Sequence, residues 1–191
     1  MNENWIHLCI DMQRVFAEDT PWHVPWMREV SPQIEEVASR YAERTVFTRF
    51  ITPEKPEQMS GLWRAYYEKW RTMTREQLDP GLLDIVPALK HLIPPARIFD
   101  KVTYSPWIGG ELHQILSSEA VDALVLTGGE TDVCVLAAAM GAIDLGYRVI
   151  VLRDAVCSGA DETHDASLEV LGDRFSVQLD LLTTEEFLSS L

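Results

Sequence analysis

The chain has 191 residues, with 16 Lys and Arg against 30 Asp and Glu, which gives a formal net charge of −14 at pH 7. Hydrophobic residues make up 47% and charged residues 24%, a globular composition that argues against disorder. The acidic balance argues against a nucleic-acid partner and against docking on anionic lipid. Because no apolar run approaches 18 residues, we expect no membrane-spanning helix.

The length predicts a single domain over residues 1–191. The N-terminal residues lack the basic region of a signal peptide. Cys9, Cys134 and Cys157 cannot all pair within the chain, and none forms a Cys-x-x-Cys pair. We therefore expect a cytoplasmic protein with reduced thiols and no Cys-rich zinc site.

Short apolar segments alternate with helical patterns along the whole chain. Near-continuous apolar strands suit a parallel sheet that is covered on both faces. The predicted strands are Trp5–Ile10, Arg44–Phe50, Ala96–Phe99, Val121–Leu126, Arg148–Leu152 and, more weakly, Phe175–Leu179. The predicted helices are Ile34–Ala42, Gly109–Ser117, Val133–Leu145, Glu162–Leu171 and Thr184–Leu188. This alternation predicts an open, doubly wound α/β fold with a mostly parallel six-stranded sheet and right-handed crossovers.

Two stretches interrupt the alternation. Met12–Ser31 is predicted to be a long loop or a broken helix. Ile51–Pro95 contains six prolines and a run of aromatic residues. An insertion of this length is either a lid or substrate-binding segment, or a packing or interface helix, and both roles can hold together.

Chemically useful residues follow the predicted strands. In doubly wound sheets, ligands bind beyond the carboxyl ends of the strands. The residues at those ends are Asp11, Thr48-Arg49, Asp100-Lys101, the segment Gly128–Cys134, and Asp154. A carboxylate, an ammonium group and a thiol at one edge of the sheet predict a cysteine nucleophile site.

Each of these groups has a catalytic reading and a structural alternative. Cys134 is predicted to lie at a helix start, where the helix dipole and Lys101 would lower the thiol pKa. Asp11 would take the thiol proton and return it to the leaving amine. Backbone N–H groups of the Gly128-Gly129 turn could form an oxyanion hole. Alternatively, Cys134 is a small buried hydrophobe, Asp11 caps the next segment, and Lys101 is a surface residue.

At these residues the chain resembles the isochorismatase-like cysteine hydrolases. The matching segments are Leu8–Gln13 with Phe16, Asp100–Ser105, Gly128–Val135, and Asp154–Ser158 with His164. The resemblance implies a three-layer α/β/α fold with Rossmann-like topology and a catalytic triad of Asp11, Lys101 and Cys134. It also implies a cis peptide between Gly129 and Glu130, which turns the N–H groups of Glu130 and Cys134 toward the substrate oxygen. Relatives commonly form dimers or tetramers, so a homo-oligomer is expected.

One departure from the family concerns metal. Nicotinamidases of the superfamily carry Asp and His ligands just after the second strand, where this chain has Thr48–Pro53. No His occurs between His23 and His91, so the usual zinc ligand set is missing. We therefore expect no metal or other cofactor, and the departure argues against nicotinamide as substrate.

Several further residues are candidates for substrate binding. They are Phe16, Trp22, Arg49, Trp63, Tyr104, Gly129 and Thr131. Arg49 either holds a substrate oxygen or forms a structural salt bridge. The aromatic residues that could wall the site are Trp22, Trp63, Tyr66, Tyr104 and Trp107, and some of these must instead be core or interface residues.

The leading functional hypothesis is hydrolysis of an amide or ureido C–N bond in a small molecule through a thioester on Cys134. A second hypothesis is vinyl-ether hydrolysis of an isochorismate-like substrate, which would rely on Asp11 and need no nucleophilic thiol. A third is a non-catalytic binding or redox-sensing protein, since an exposed thiol of low pKa is also a sensor.

Overall fold

A computed structural model describes residues 3–191, which form an α/β/α sandwich around one sheet. The six strands are β1 (Trp5–Ile10), β2 (Thr45–Phe50), β3 (Arg97–Lys101), β4 (Ala123–Gly129), β5 (Arg148–Cys157) and β6 (Leu179–Leu182). They lie in the order β3-β2-β1-β4-β5-β6, and every neighbouring pair is parallel. This order reverses between β1 and β4, so the predicted doubly wound fold is confirmed.

Helices cover both faces of the sheet. They are α1 (Arg14–Ala17), α2 (Met27–Arg40), α3 (Leu62–Lys69), α4 (Pro87–Lys90), α5 (Glu111–Ser118), α6 (Leu136–Asp144), α7 (Asp161–Arg174) and α8 (Thr184–Ser189). Alternate residues of β1 point to opposite faces. Leu8 packs in a core with α5, α6 and α7, whereas Cys9 packs in a core with α2, α4 and α8.

Three strand ends differ from the prediction. Asp100 and Lys101 are the last residues of β3 and do not follow it, and Gly128 and Gly129 end β4. Strand β5 continues to Cys157, so that Asp154 lies inside the strand. Its Oδ1 accepts hydrogen bonds from the backbone N–H and the hydroxyl of Thr184 at 2.8 and 3.0 Å. The prediction that Asp154 follows the fifth strand was wrong, and its carboxylate caps the first turn of α8.

Two other elements are displaced. The sixth strand is Leu179–Leu182, because the N–H groups of Gln178 and Leu179 close a turn on the carbonyl of Phe175. Helix α2 begins at Met27, within the stretch predicted as a loop or broken helix, and contains Pro32. A proline in a helix leads sequence reasoning to start the element too late.

The insertion 51–95 folds back over the carboxyl edge of the sheet. It contributes α3, α4 and short 3₁₀ segments at Pro56–Gln58, Arg71–Met73 and Pro80–Leu83. Met73, Leu78 and Leu83 build a separate small core with Val15 of α1. The insertion therefore lies next to the edge of the sheet at which β1, β2 and β3 end. In the described part of the chain, no helix has both the length and the apolar character needed to cross a bilayer.

Candidate active site

Asp11 is positioned by the turn that ends β1. Its φ of 50° lies in the left-handed region, which Asp tolerates better than most residues. The Asp11 N–H donates to Thr48 Oγ1 at 3.1 Å, and the Thr48 hydroxyl donates to Asp11 Oδ1 at 2.6 Å. Sequence reasoning assigned no role to Thr48, although its place at the end of the neighbouring strand was the available signal. The contact leaves Oδ2 for a second partner.

Lys101 joins the carboxylate to the thiol. Its Nζ lies 2.6 Å from Asp11 Oδ2 and 3.5 Å from Cys134 Sγ, and it donates to the Thr103 carbonyl at 3.1 Å. The side chains of Lys101 and Asp11 are only 3% and 1% exposed. Nζ also lies 5.0 Å from the centre of the Phe50 ring. The structure thus brings Asp11, Lys101 and Cys134 together in a buried cluster.

Cys134 lies on a π-helical turn, Thr131–Val135, that precedes α6. The predicted helix start at Val133 is therefore corrected, and the thiol lies in the π-helical turn directly before the regular helix. The preceding Gly129-Glu130 peptide is cis, as the resemblance implied. Gly128 has a φ of +101°, and a Cβ there would meet the Ile10 carbonyl oxygen at 2.1 Å. Only glycine therefore allows β4 to approach the end of β1 this closely.

The electrostatics of the thiol differ from the expectation. Burial raises the pKa of Cys134 well above its ordinary value, the Asp11 carboxylate raises it further, and Lys101 offsets only part of this rise. For Lys101, burial favours a lower pKa, but Asp11 and Cys134 outweigh it and the pKa is raised. The predicted lowering of the Cys134 pKa was wrong, because the thiol is 8% exposed and desolvation disfavours the thiolate.

Side chains near β5 and α7 hold the Glu130–Cys134 segment. Asp132 accepts hydrogen bonds from the hydroxyls of Ser158 and Thr163. The Thr131 hydroxyl and His164 Nδ1 are hydrogen bonded at 2.9 Å. Ser158 and His164 belong to the segments that resemble the family, but the sequence alone predicts no role for them. Their positions tie the loop that carries the thiol to the opposite half of the sheet.

A cleft of about 270 Å³ opens beside the thiol. Its lining residues are Phe16, Pro21, Trp22, His23, Phe50, Tyr66, Tyr104, Glu130, Val133 and Cys134. Three of the predicted substrate-binding residues, Phe16, Trp22 and Tyr104, are among them. Trp63 packs behind Tyr104, with ring centres 4.9 Å apart.

The other candidates lie elsewhere. Arg49 is not in the cleft wall, since its guanidinium contacts Asp100 at 2.7 and 2.8 Å and Asp84 at 3.3 Å. The salt-bridge alternative describes these contacts. Gly129 and Thr131 are buried and do not line the cleft. Trp107 is one of the aromatic residues that belong to the core: its Nε1–H donates to the Ala138 carbonyl at 2.8 Å, and its ring stacks on Tyr147.

A larger hollow, of about 420 Å³, lies next to the end of β5. Cys157 and His164 line it, but none of the three clustered residues does. Cys157 is buried, and burial raises its pKa to about 12. We place the candidate site at the smaller cleft because it alone of the two contains Cys134.

The residues after β2 do not supply metal ligands. Ile51, Thr52 and Pro53 follow the strand. Within residues 3–191, no three His, Cys, Asp or Glu side chains are grouped so as to hold a metal ion. The side chains at this position therefore do not match the ligand set of the nicotinamidase zinc site.

Similarities to known proteins extend over most of the chain. The isochorismatase domain family model matches residues 6–183. An uncharacterised isochorismatase family protein of Bacillus subtilis, YwoC, is 33% identical over 166 residues, which cover 84% of this chain and 82% of the relative.

Two further similarities are to an amidohydrolase and to a protein of known structure. The maleamate amidohydrolase of Pseudomonas putida is 28% identical over 94 residues, which cover 49% of this chain and 43% of that enzyme. The crystal structure of a cysteine hydrolase from Pseudomonas syringae superposes with a TM-score of 0.83 at 20% identity, covering 97% of this chain and 91% of that one.

Proposed function

The chain belongs to the isochorismatase family, and from this premise we propose that it is a cysteine hydrolase that cleaves an amide or ureido C–N bond of a small molecule. The observation that carries the proposal is the buried contact of Lys101 Nζ with both Asp11 Oδ2, at 2.6 Å, and Cys134 Sγ, at 3.5 Å. A thiol beside a carboxylate base and an ammonium group is the arrangement that nucleophilic catalysis needs. The related maleamate amidohydrolase supports amide chemistry.

In the first half of the proposed reaction, Cys134 Sγ attacks the amide carbonyl carbon while its proton passes to Asp11. The oxygen becomes an oxyanion that the N–H groups of Glu130 and Cys134 stabilise. Asp11 then gives the proton to the amide nitrogen, the C–N bond breaks, and the amine leaves. The product of this half is a thioester on Cys134.

In the second half, a water molecule attacks the thioester carbonyl and gives its proton to Asp11. The C–S bond breaks, the carboxylic acid leaves, and the proton returns from Asp11 to Sγ. Lys101 stays charged throughout, because it balances whichever of Asp11 and Cys134 carries the negative charge. No step uses a metal ion.

The cleft limits the size of the substrate. Its volume of about 270 Å³ lies just below the range of roughly 300–1,000 Å³ that drug-sized ligands occupy. Because the wall contains five aromatic rings, stacking and apolar contact would supply much of the binding energy. We therefore propose that the substrate is a compact amide.

The test compares the wild-type protein with Cys134→Ala on a panel of small primary amides and N-carbamoyl compounds. We expect ammonia release by the wild type, none above background by the variant, and an acyl adduct on Cys134 in rapidly quenched samples analysed by mass spectrometry. Undiminished turnover by Cys134→Ala would refute the thioester mechanism. Hydrolysis of an isochorismate-like vinyl ether that is lost in Asp11→Asn and kept in Cys134→Ala would instead favour vinyl-ether hydrolysis.

The proposal extends to the organisation of the protein. We propose a single domain over residues 1–191 that acts in the cytoplasm on a small molecule and assembles as a dimer or tetramer. Leu62 and Ile108 are 88% and 71% exposed, and large exposed apolar side chains are typical of protein contacts when they form a patch.

A further inference from the structure

The lining of the cleft contains an acidic side chain but no Lys or Arg. Among the ten residues that line it, none is Lys or Arg, and Glu130 is the one carboxylate. Lys101 lies beneath the cleft, but it is 3% exposed and paired with Asp11. Arg49 is held by Asp84 and Asp100. His23 lies exposed at the rim. The cleft therefore offers a carboxylate substrate no unpaired Lys or Arg partner.

The wall itself is suited to a positive charge. Trp22 is stacked on Phe16 with ring centres 6.1 Å apart, and it lies 6.0 Å from both Phe50 and Tyr66. Tyr104 stacks on Phe50 at 6.3 Å. Aromatic faces attract cations through their quadrupoles, and several rings around one volume form a cage for ammonium groups.

Glu130 adds a carboxyl group to this wall, and burial raises its pKa above the ordinary value. Its Oε2 accepts the Gly159 N–H at 3.2 Å, and the residue lines the same cleft as Cys134. Within the described residues, Oε1 has no hydrogen-bond partner. A partly buried carboxylate with one unpaired oxygen attracts an ammonium group more strongly than a carboxylate in water does.

We propose that the substrate is a small amide whose other end carries a positive charge, either a protonated amine or a quaternary ammonium group. The aromatic cage and Glu130 bind the cation, and the amide carbonyl lies over Cys134. This inference rests on the proposed function only for the amide end of the substrate. The charge preference itself is a property of the cleft and is measurable without turnover.

The test uses three amides that differ mainly in charge. Betaine amide carries a trimethylammonium group, 3,3-dimethylbutanamide is its neutral isostere, and succinamate is an anion. Dissociation constants are measured on Cys134→Ala by quenching of tryptophan fluorescence, since Trp22 lines the cleft. We expect betaine amide to bind about tenfold more tightly than the neutral isostere, and succinamate to bind most weakly.

A matched pair of variants locates the effect. In Glu130→Gln the ratio of the two dissociation constants is expected to fall several-fold. In Glu68→Gln, which removes an exposed carboxylate from α3, the ratio is expected to stay within twofold. Equal binding of betaine amide and its isostere, or tighter binding of succinamate, would overturn the inference.

Turnover of the same amides by the wild-type protein separates the two proposals. Hydrolysis of the amides without a preference for the cation overturns only the charge inference. A clear preference in binding, with no hydrolysis of any amide on the wider panel, overturns only the proposed function.

Discussion

The buried pair of Asp11 and Lys101 should cost stability when it is broken. Lys101→Met leaves a carboxylate that is 1% exposed with Thr48 as its remaining polar side-chain partner. Removing one partner of a buried pair costs about 3–5 kcal/mol, a large share of a total stability of roughly 5–15 kcal/mol. With an urea m-value of roughly 2 kcal/mol/M, the unfolding midpoint should fall by about 1.5–2.5 M.

The double variant Asp11→Asn/Lys101→Met separates charge burial from lost packing. It removes both charges and keeps an acceptor oxygen for the Thr48 hydroxyl, so we expect it to be more stable than Lys101→Met by about 1–2 kcal/mol. Arg40→Met is the surface control, because Arg40 and Glu36 form an exposed pair at 2.7 Å, and it should cost less than about 0.5 kcal/mol. A Lys101→Met midpoint within 0.3 M of wild type (roughly half a kcal/mol), or a double variant no more stable than the single one, would refute this reasoning.

Two further predictions concern the thiol and the assembly. Since the pKa of Cys134 is raised, its alkylation by iodoacetamide should keep accelerating at pH values where an ordinary thiol, with a pKa of about 8.5, has reached its plateau. Asp11→Asn removes one cause of that rise and should move the rate profile to lower pH; an unchanged profile would contradict the assigned cause. Sedimentation velocity at micromolar concentration should show a dimer or tetramer, and replacing exposed Leu62 and Ile108 with Ser is expected to weaken it. A wild-type monomer would rule the assembly out.

The candidate cluster could be predicted because it depends on chain order and strand direction. Trp5–Ile10 has its predicted bounds, since an apolar run ends abruptly at Asp11. In a parallel sheet all carboxyl ends meet at one edge, so Asp11 and Lys101 were expected at the same edge, where they meet across the end of β2. The Gly128–Cys134 segment follows from the same rule, because β4 pairs with β1.

The cleft wall and the charges could not be predicted in the same way. Tyr66, Tyr104 and Trp107 were equal candidates from their residue type. Tyr66 lines the cleft because the insertion folds back over the sheet edge, and no periodicity in the sequence encodes that path. Arg49 lies opposite Asp100 in the β2–β3 register, but its contact with Asp84 depends on the fold of the insertion. The thiol pKa depends on burial, which is a property of the packed structure.

The raised pKa of the thiol bears directly on how the site would work. With Asp11 charged, Lys101 charged and Cys134 protonated, the buried cluster carries no net charge. Loss of the thiol proton to water would leave a net negative charge in a desolvated site, which is costly. Transfer of that proton to Asp11 keeps the cluster neutral, because the thiolate replaces the carboxylate as the partner of Lys101. The thiolate would therefore form within the cluster as the substrate carbonyl approaches. Cys134 can thus react slowly with other electrophiles in the resting protein and still be an efficient nucleophile toward the bound substrate.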